Sequence, residues 1–170
     1  DYKDKQLNSF FIDDIFGPLS KLFNVPESEV RGAELEIQTS PLSGLFISVA
    51  ASYLDTEVLE FTGVMADGEE GVDFSGNELP FSPDKELTLV VSYSFPLPFL
   101  SNIEATAGID YSYVGETFSA LDNNTLGKLR SYELVNTRFG VGDIEGRWDI
   151  SVWVRNATNE FYQSNAAGFE

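Results

Sequence analysis

The sequence predicts an all-β fold built from long antiparallel strands, and three observations support this. Hydrophobic residues make up 42% of the 170 residues and aromatic residues 14%, a composition that is too apolar for a disordered chain and that favours strands. Alternation with a period of two residues recurs along the chain, whereas helical periodicity is scarce. The connections between these segments alternate between long and short, as in an antiparallel meander.

Roughly seven segments carry this alternation, and each predicts one strand. In chain order they are "YKDKQL" (2–7), "RGAELEIQTS" (31–40), "GLFISVAASYL" (44–54), "KELTLVVSYSF" (85–95), "NIEATAGIDYSYV" (102–114), "LRSYELVNTRFGV" (129–141) and "RWDISVWV" (147–154). Most run to roughly 10–13 residues, longer than the ~5–6 usual in soluble sheets and close to the ~9–11 that cross a bilayer.

Each segment divides into an apolar side and a side of small or polar residues. In 44–54, Ile47 and Val49 share one side, and Ser48 and Ser52 the other. The pattern is less regular in 129–141, where Tyr132 and Leu134 face opposite to Val135 and Phe139. Small and polar residues on the second side suit a water-filled or plugged interior better than a packed sandwich.

The connections predict which strand ends lie together. The expected long loops are 8–29, 55–82 and 115–128, and the expected short turns are 41–43, 96–101 and 142–146. The stretch 10–23, "FFIDDIFGPLSKLF", is interpreted as loop with one short helical turn, because Gly17 and Pro18 interrupt it. A membrane wall has turns at one rim and loops at the other, whereas a sandwich gives no reason for strict alternation.

Aromatic residues gather near the predicted strand ends. Tyr53, Tyr111 and Tyr113 neighbour the long loops, and Tyr93, Phe95, Phe99 and Trp148 neighbour the short turns. Two such girdles are expected where a barrel meets the two membrane interfaces. The pattern therefore predicts an antiparallel transmembrane β-barrel, with Trp148 at the lipid interface of the turn rim, Trp153 facing the lumen and Tyr162 at the outer rim.

Composition excludes several functions. The net charge of −18 would repel phosphate backbones, so no nucleic-acid partner is expected. The absence of cysteine and histidine removes thiolate chemistry, Ser-His-Asp catalysis and His-ligated metals. No catalytic residue, metal site or cofactor is therefore predicted. The polar opening "DYKDKQ" is not a signal peptide, and no apolar run is long enough for a transmembrane helix.

Four stretches resemble the β-barrel of TonB-dependent outer-membrane receptors. They are 24–58, 76–95, 129–141 and 148–162. The matching residues are Asn24, Gly32, Glu34, Glu36, Pro41, Gly44, Leu45 and Tyr53 in the first stretch, Gly76, Asn77, Pro80 and Pro83 in the second, Tyr132, Asn136 and Arg138 in the third, and Trp153, Asn156, Asn159 and Tyr162 in the fourth. No single stretch is specific, and the resemblance depends on the order and spacing of all four.

The resemblance implies a barrel of about 22 strands with a plugged lumen. Residues 1–170 would be its C-terminal portion, a fragment of roughly seven strands that lacks the plug domain and the closing strand. The implied function is a receptor, not an enzyme, in the outer membrane of a Gram-negative bacterium. It would bind a scarce solute (a siderophore, a cobalamin or an oligosaccharide) and import it with energy from TonB. Its partners would be that solute, the plug, the remaining strands, TonB through the plug, and lipid.

Two other functions remain open at this stage: a secreted carbohydrate-binding β-sandwich and an acidic glycoside hydrolase. The inward carboxylates that could serve hydrolysis are Glu34, Glu36, Glu86, Glu104 and Asp110. A wet lumen lined with carboxylates is the simpler interpretation.

Loops 55–82 and 115–128 are the segments expected to contact ligand, without assignment of single residues. The acidic residues of the first loop are Asp55, Glu57, Glu60, Asp67, Glu69, Glu70, Asp73 and Glu78. A calcium site or a collar for cations is conceivable, but a solvated loop is favoured, because the spacing lacks the alternating ligands of an EF-hand. The late arginines Arg130, Arg138, Arg147 and Arg155 are expected to pair with lumenal carboxylates or with an acidic plug, and capture of an anionic ligand is the weaker alternative. Asn156 is expected to cap a turn.

Overall fold

The computed structural model describes residues 2–13, 17–64 and 70–166, and its main feature is one seven-stranded sheet. In chain order the elements are β1 (Tyr2–Asp13), β2 (Gly17–Leu42), β3 (Leu45–Glu60), β4 (Thr62–Val64), β5 (Glu70–Asp73), β6 (Lys85–Pro96), β7 (Ile103–Val114), β8 (Thr117–Phe118), a 3₁₀ turn (Thr125–Gly127), β9 (Lys128–Leu129), β10 (Tyr132–Asp143) and β11 (Asp149–Val154). No helix within these ranges is long and apolar enough to cross a membrane.

The large sheet is an antiparallel meander in which neighbours along the chain are neighbours in space. Its order is β1-β2-β3-β6-β7-β10-β11, and the four short strands form two small ribbons, β4-β5 and β8-β9, at one end. The sheet is not closed, since β1 and β11 form its edges. The prediction of an all-β, antiparallel, roughly seven-stranded barrel fragment is confirmed.

The strand register gives the sheet two chemically different faces. One cross-strand row consists of Ile37, Val49, Leu89, Tyr111 and Val135. The next row, on the opposite side, consists of Gln38, Ser48, Val90, Asp110 and Asn136. We call these sides the apolar face and the polar face. Both faces agree with the predicted division of the strands, including the less regular 129–141 segment.

The apolar face has no second layer over it within the described residues. Ile37 is 50% exposed, Ile150 65% and Val152 67%. Burying a large aliphatic side chain is worth about 1.5–3 kcal/mol, so a sheet with such a face needs an apolar phase against it. This is the arrangement expected of a barrel wall and not of a sandwich, whose inner faces pack on each other.

The prediction of a long loop over 8–29 is wrong within the described residues, because β1 and β2 run through most of it. The helical turn proposed for 10–23 is likewise absent from its described part, which is strand at 10–13 and 17–23. Pairing of β2 with β3 begins at Glu27 and Glu60, so the preceding part of β2 pairs with β1 alone. Prolines are tolerated where a strand has one free edge, which accounts for Pro18 and Pro26 within this strand.

The other connections follow the predicted alternation. The short turns lie at 43–44, 97–102 and 144–148, and the long connections at 61–84 and 115–131. We call the latter two the β3–β6 loop and the β7–β10 loop. The predicted boundary of the first loop at residue 55 is too early, since β3 continues to Glu60.

A small hydrophobic core forms at the long-loop end, beyond the region where all strands pair. Its buried members are Val25, Val58, Phe61, Phe74 and Leu79. The rings of Phe61 and Phe74 stack with centroids 5.5 Å apart. This core fixes the described parts of the β3–β6 loop, 61–64 and 70–84, against β2 and β3, so these parts pack against the strands and are not a free solvated segment.

Candidate functional site

The two long loops predicted to contact ligand lie side by side. The Phe81 backbone N–H donates to the Phe118 carbonyl oxygen at 2.8 Å. The Ser82 N–H donates to Thr117 Oγ1 at 3.0 Å. These bonds join the end of the β3–β6 loop to the start of the β7–β10 loop, so the two loops form one surface.

Asn123 makes a second connection between these loops. Its Oδ1 accepts the Glu78 N–H at 2.7 Å, and its Nδ2 donates to the Glu78 carbonyl oxygen at 3.1 Å. The residue has a φ of 50°, a left-handed conformation that asparagine tolerates better than most residues. Nearby, Asn77 Nδ2 donates to the Leu121 carbonyl oxygen at 2.8 Å. These side-chain hydrogen bonds of Asn77 and Asn123 were not predicted from the sequence, although adjacent asparagines such as Asn123 and Asn124 are a turn signal.

The described acidic residues of the β3–β6 loop do not form a cation site. Two of those predicted, Asp67 and Glu69, lie outside the described residues. The Asp73 carboxylate accepts the Ser75 N–H at 2.9 Å, and this bonding to Ser75 lowers the pKa of Asp73. Within the described ranges, no group of three or more acidic side chains could hold a metal ion.

The polar face carries acidic residues on β2, β6 and β7. The five carboxylates predicted to point inward all belong to its rows: Glu34, Glu36, Glu86, Glu104 and Asp110. Glu34 and Glu86 flank Ser52 in one row, about 10 Å apart along the sheet at about 4.8 Å per strand. With Phe81 and Pro83 they line a depression of about 600 Å³. The β3–β6 loop therefore overhangs the acidic part of the polar face.

Basic and aromatic residues occupy the other side of the polar face. Arg138 on β10 is paired across the strands with Trp153 on β11, which confirms that Trp153 faces the polar side. Together with Arg155 they line a depression of about 350 Å³ that also includes Asp110 and Asn136. Among the described residues, the polar contacts of Arg138 Nη2 are long, 3.4 Å to Asp149 Oδ1 and 3.5 Å to Ser151 Oγ. Its guanidinium therefore retains capacity to bind an anionic group.

The four late arginines do not form one cluster. Arg147 lies in the β10–β11 turn at the opposite end of the sheet, where its Nη2 and Nε donate to the Asp143 carboxylate at 2.7 and 2.9 Å. This pairing raises the pKa of Arg147. Arg130 lies between β9 and β10. Only Arg138 and Arg155 share a site on the polar face.

The segment after β11 turns back over the sheet through Asn156. Its Oδ1 accepts the Glu160 N–H at 2.8 Å, and its Nδ2 donates to the Glu160 carbonyl oxygen at 2.9 Å. The expectation that Asn156 caps this turn is confirmed. The ring of Tyr162 then stacks on Tyr132 at a centroid distance of 4.4 Å. This places 156–162 beside the start of β10, at the long-loop end.

A two-faced antiparallel meander with short turns at one end and packed loops at the other defines part of a β-barrel wall. The family described as TonB dependent receptor-like, beta-barrel, matches residues 1–157. The chain belongs to this family, whose members are outer-membrane transporters of Gram-negative bacteria and not enzymes.

Solved structures show the same fold. The siderophore receptor PiuA from Acinetobacter baumannii is 22% identical with a TM-score of 0.65, over 91% of this chain and 20% of that receptor. BauA, the ferric preacinetobactin receptor from Acinetobacter baumannii, is 15% identical with a TM-score of 0.64, over 93% of this chain and 22% of that receptor. The chain thus spans about a fifth of the length of these two receptors.

Proposed function

We propose that this chain forms part of the wall of a receptor that binds a ferric siderophore and imports it with energy from TonB. Membership of the receptor family supports transport. Siderophores are favoured over cobalamin and oligosaccharides because one of the two similar structures is named as a siderophore receptor and the other as a receptor for ferric preacinetobactin. The observation that carries the proposal is the division of one sheet into an apolar and a polar face.

In this proposal the apolar face contacts the hydrocarbon of the outer membrane of a Gram-negative bacterium, and the polar face encloses the lumen. Residues 1–170 form the C-terminal portion of the barrel, further strands outside this sequence complete the wall, and a plug domain fills the lumen. TonB acts through that plug. A carbohydrate-binding sandwich is not favoured, because no second sheet covers the apolar face within the described residues.

The polar face and the joined loops would bind the solute by hydrogen bonds and charge. The β3–β6 and β7–β10 loops are held together before ligand arrives, through Asn123 and Glu78, so less conformational entropy is lost on binding. Arg138, Trp153 and Arg155 offer two guanidinium groups and a ring to an anionic, partly aromatic solute. No covalent step is needed.

Equilibrium binding tests the proposal directly. The intact receptor containing this chain, purified in detergent, is titrated with a panel of ferric siderophores, and with cobalamin and oligosaccharides as competing classes. We expect at least one ferric siderophore to bind and to be taken up by iron-limited cells that carry the receptor. Binding of a cobalamin or oligosaccharide alone would overturn the siderophore assignment, and the absence of uptake in any class would overturn transport.

Two matched variants test the polar face. The double variant Arg138→Gln plus Arg155→Gln removes both charges, and we expect binding of an anionic ferric siderophore to weaken about tenfold or more, since hydrogen bonds to charged groups are worth about 1.5–3 kcal/mol. The control is Arg31→Gln, whose guanidinium pairs with Glu29 and lies outside that depression. If the unaltered receptor, the double variant and the Arg31→Gln control bound the siderophore with equal affinity, Arg138 and Arg155 would not belong to the binding site.

A further inference from the structure

The depression that spans β7, β10 and β11 on the polar face brings opposite charges together without pairing them. Asp110, Asn136, Arg138 and Arg155 all line this cavity of about 350 Å³. Asp110 and Arg155 make no ion pair and no side-chain hydrogen bond within the described part of the chain, and the contacts of Arg138 to β11 are long. All three charged groups therefore keep the capacity to bind a polar molecule. We call this cavity the mixed-charge depression.

The strand register places these groups around one central residue, Asn136. Asp110 lies directly opposite Asn136 on the neighbouring strand β7, a relationship in which Cβ atoms are about 4.5–5.5 Å apart. Arg138 follows on the same face of β10, about 6.8 Å along the strand. Arg155 comes directly after the end of β11 (Val154), which pairs with β10 on its other side. A carboxylate and two guanidinium groups thus surround a single amide.

The amide of Asn136 is oriented by the chain that follows β11. Its Oδ1 accepts the Asn156 N–H at 3.0 Å, so this oxygen is occupied. Its Nδ2 makes no hydrogen bond with any described residue and is free to donate. The mixed-charge depression therefore offers donors from Asn136, Arg138 and Arg155, and one carboxylate acceptor from Asp110.

This arrangement distinguishes between ligand chemistries. A plain carboxylate would meet the donors but also the like charge of Asp110, and like charges brought together cost free energy. A plain cation would meet Asp110 but also two guanidinium groups. A carboxylate with a hydrogen-bond donor on the adjacent carbon satisfies all of these groups, because its oxygens face the donors while its own donor faces Asp110.

We propose that the mixed-charge depression is a subsite for an α-hydroxy- or α-amino-carboxylate group. Arg138, Arg155 and the Asn136 Nδ2 bind the carboxylate, and Asp110 accepts from the hydroxyl or ammonium group. This inference rests on the proposed receptor function and specifies which part of the solute the polar face binds. Asp110 is then a specificity-determining residue, because it disfavours carboxylates that lack the adjacent donor.

Three small acids with the same carbon skeleton test the subsite. Succinate, malate and aspartate differ at one carbon, which carries only hydrogen in the first, a hydroxyl in the second and an ammonium group in the third. The affinity of each for the intact receptor in detergent is measured by saturation-transfer NMR titration. The variant is Asp110→Ala, and the matched control is Glu104→Ala, which removes a carboxylate from the same strand and the same face outside the depression.

We expect malate or aspartate to bind the unaltered receptor and the Glu104→Ala control about fivefold or more tightly than succinate, the size expected of one net hydrogen bond. In Asp110→Ala this preference should disappear, because succinate is freed from a like charge while the other two acids lose a partner. A merely structural role of Asp110 would weaken all three acids equally. The tighter binder of malate and aspartate identifies the adjacent donor as hydroxyl or ammonium.

Equal affinity of the three acids for the unaltered receptor would overturn the subsite, as would a preference that persists in Asp110→Ala. Failure of all three to bind at millimolar concentrations would also overturn it. The acids carry no iron, so this result is independent of ferric siderophore uptake. Uptake without discrimination among the acids would remove the subsite and leave the transport proposal standing, whereas discrimination without uptake would do the reverse.

Discussion

At the scale of single residues, Gly44 shows how one backbone conformation fixes a strand connection. Its φ is 79°, and a Cβ at this position would overlap the Ser94 carbonyl oxygen. The Ser94 N–H meanwhile donates to the Gly44 carbonyl oxygen at 2.8 Å. The β2–β3 turn and β6 therefore approach each other more closely than any side chain would allow.

The variant Gly44→Ala should destabilise the barrel for two reasons. A non-glycine residue in the left-handed region costs about 1–2 kcal/mol, and the overlap with Ser94 adds to this. Gly146→Ala is the matched control, because Gly146 has a φ of 73° but open space around its Cβ position. We expect the thermal midpoint of the intact receptor, followed by circular dichroism, to fall further for Gly44→Ala. Equal falls of the thermal midpoint in Gly44→Ala and Gly146→Ala would show that the contact with Ser94 relaxes without a cost in free energy.

Sequence alternation predicted the faces of individual residues well, because the period of two is a local property of the strand. Trp153 and the five inward carboxylates were assigned correctly on that basis. The role of Asn123 could not be predicted, because its partner Glu78 is 45 residues away. The ion pair of Arg147 with Asp143 was missed because the four arginines were treated as one group.

At the scale of elements, the Asn123 side chain joins the β3–β6 and β7–β10 loops into one unit. Asn123→Gly keeps the left-handed backbone accessible and removes both hydrogen bonds to Glu78. Each such bond is worth about 1 kcal/mol, so we expect amide exchange at residue 78 to accelerate about fivefold or more. The measurement is hydrogen–deuterium exchange of the intact receptor, with the Ser94 amide as an internal reference. Unchanged exchange at 78 would mean that the small core alone holds the loop.

The loop predicted over 8–29 and the helical turn predicted within it were wrong for one physical reason. The stretch 8–29 shows no clean alternation and contains Gly17, Pro18 and Pro26, which are ordinary signals of a loop. In the structure β1 and the start of β2 form a two-stranded extension, where one free edge tolerates proline. Whether a strand has one or two partners depends on the whole sheet, so local composition could not reveal this extension.

At the scale of the whole molecule, the sheet has little core of its own. The buried hydrophobic cluster lies at the long-loop end and not beneath the strands. Within the described residues, the middle of the sheet exposes large aliphatic side chains on one face and charges on the other. In the proposed membrane location, such a wall is stabilised by its surroundings: hydrocarbon on the first face, and water or protein on the second.

Contact of the apolar face with hydrocarbon predicts different effects for two adjacent residues on β6. Leu89 lies on the apolar face and Thr88 on the polar face. A lysine at the lipid face near the bilayer midplane costs about 2–4 kcal/mol, whereas lumenal positions accept charge. We therefore expect Leu89→Lys to lower the free energy of unfolding of the intact receptor in lipid vesicles by about that amount, and Thr88→Lys to leave it nearly unchanged.

Denaturant titration of the vesicle-inserted receptor, followed by tryptophan fluorescence, measures both variants. Because the two positions share a strand and a depth, differences in expression or strand propensity largely cancel. If Thr88→Lys were the damaging change, the lumen and lipid sides would be reversed. If both were tolerated, and the protein stayed soluble without detergent, the apolar face would not meet hydrocarbon, and the wall would have to be covered by protein instead.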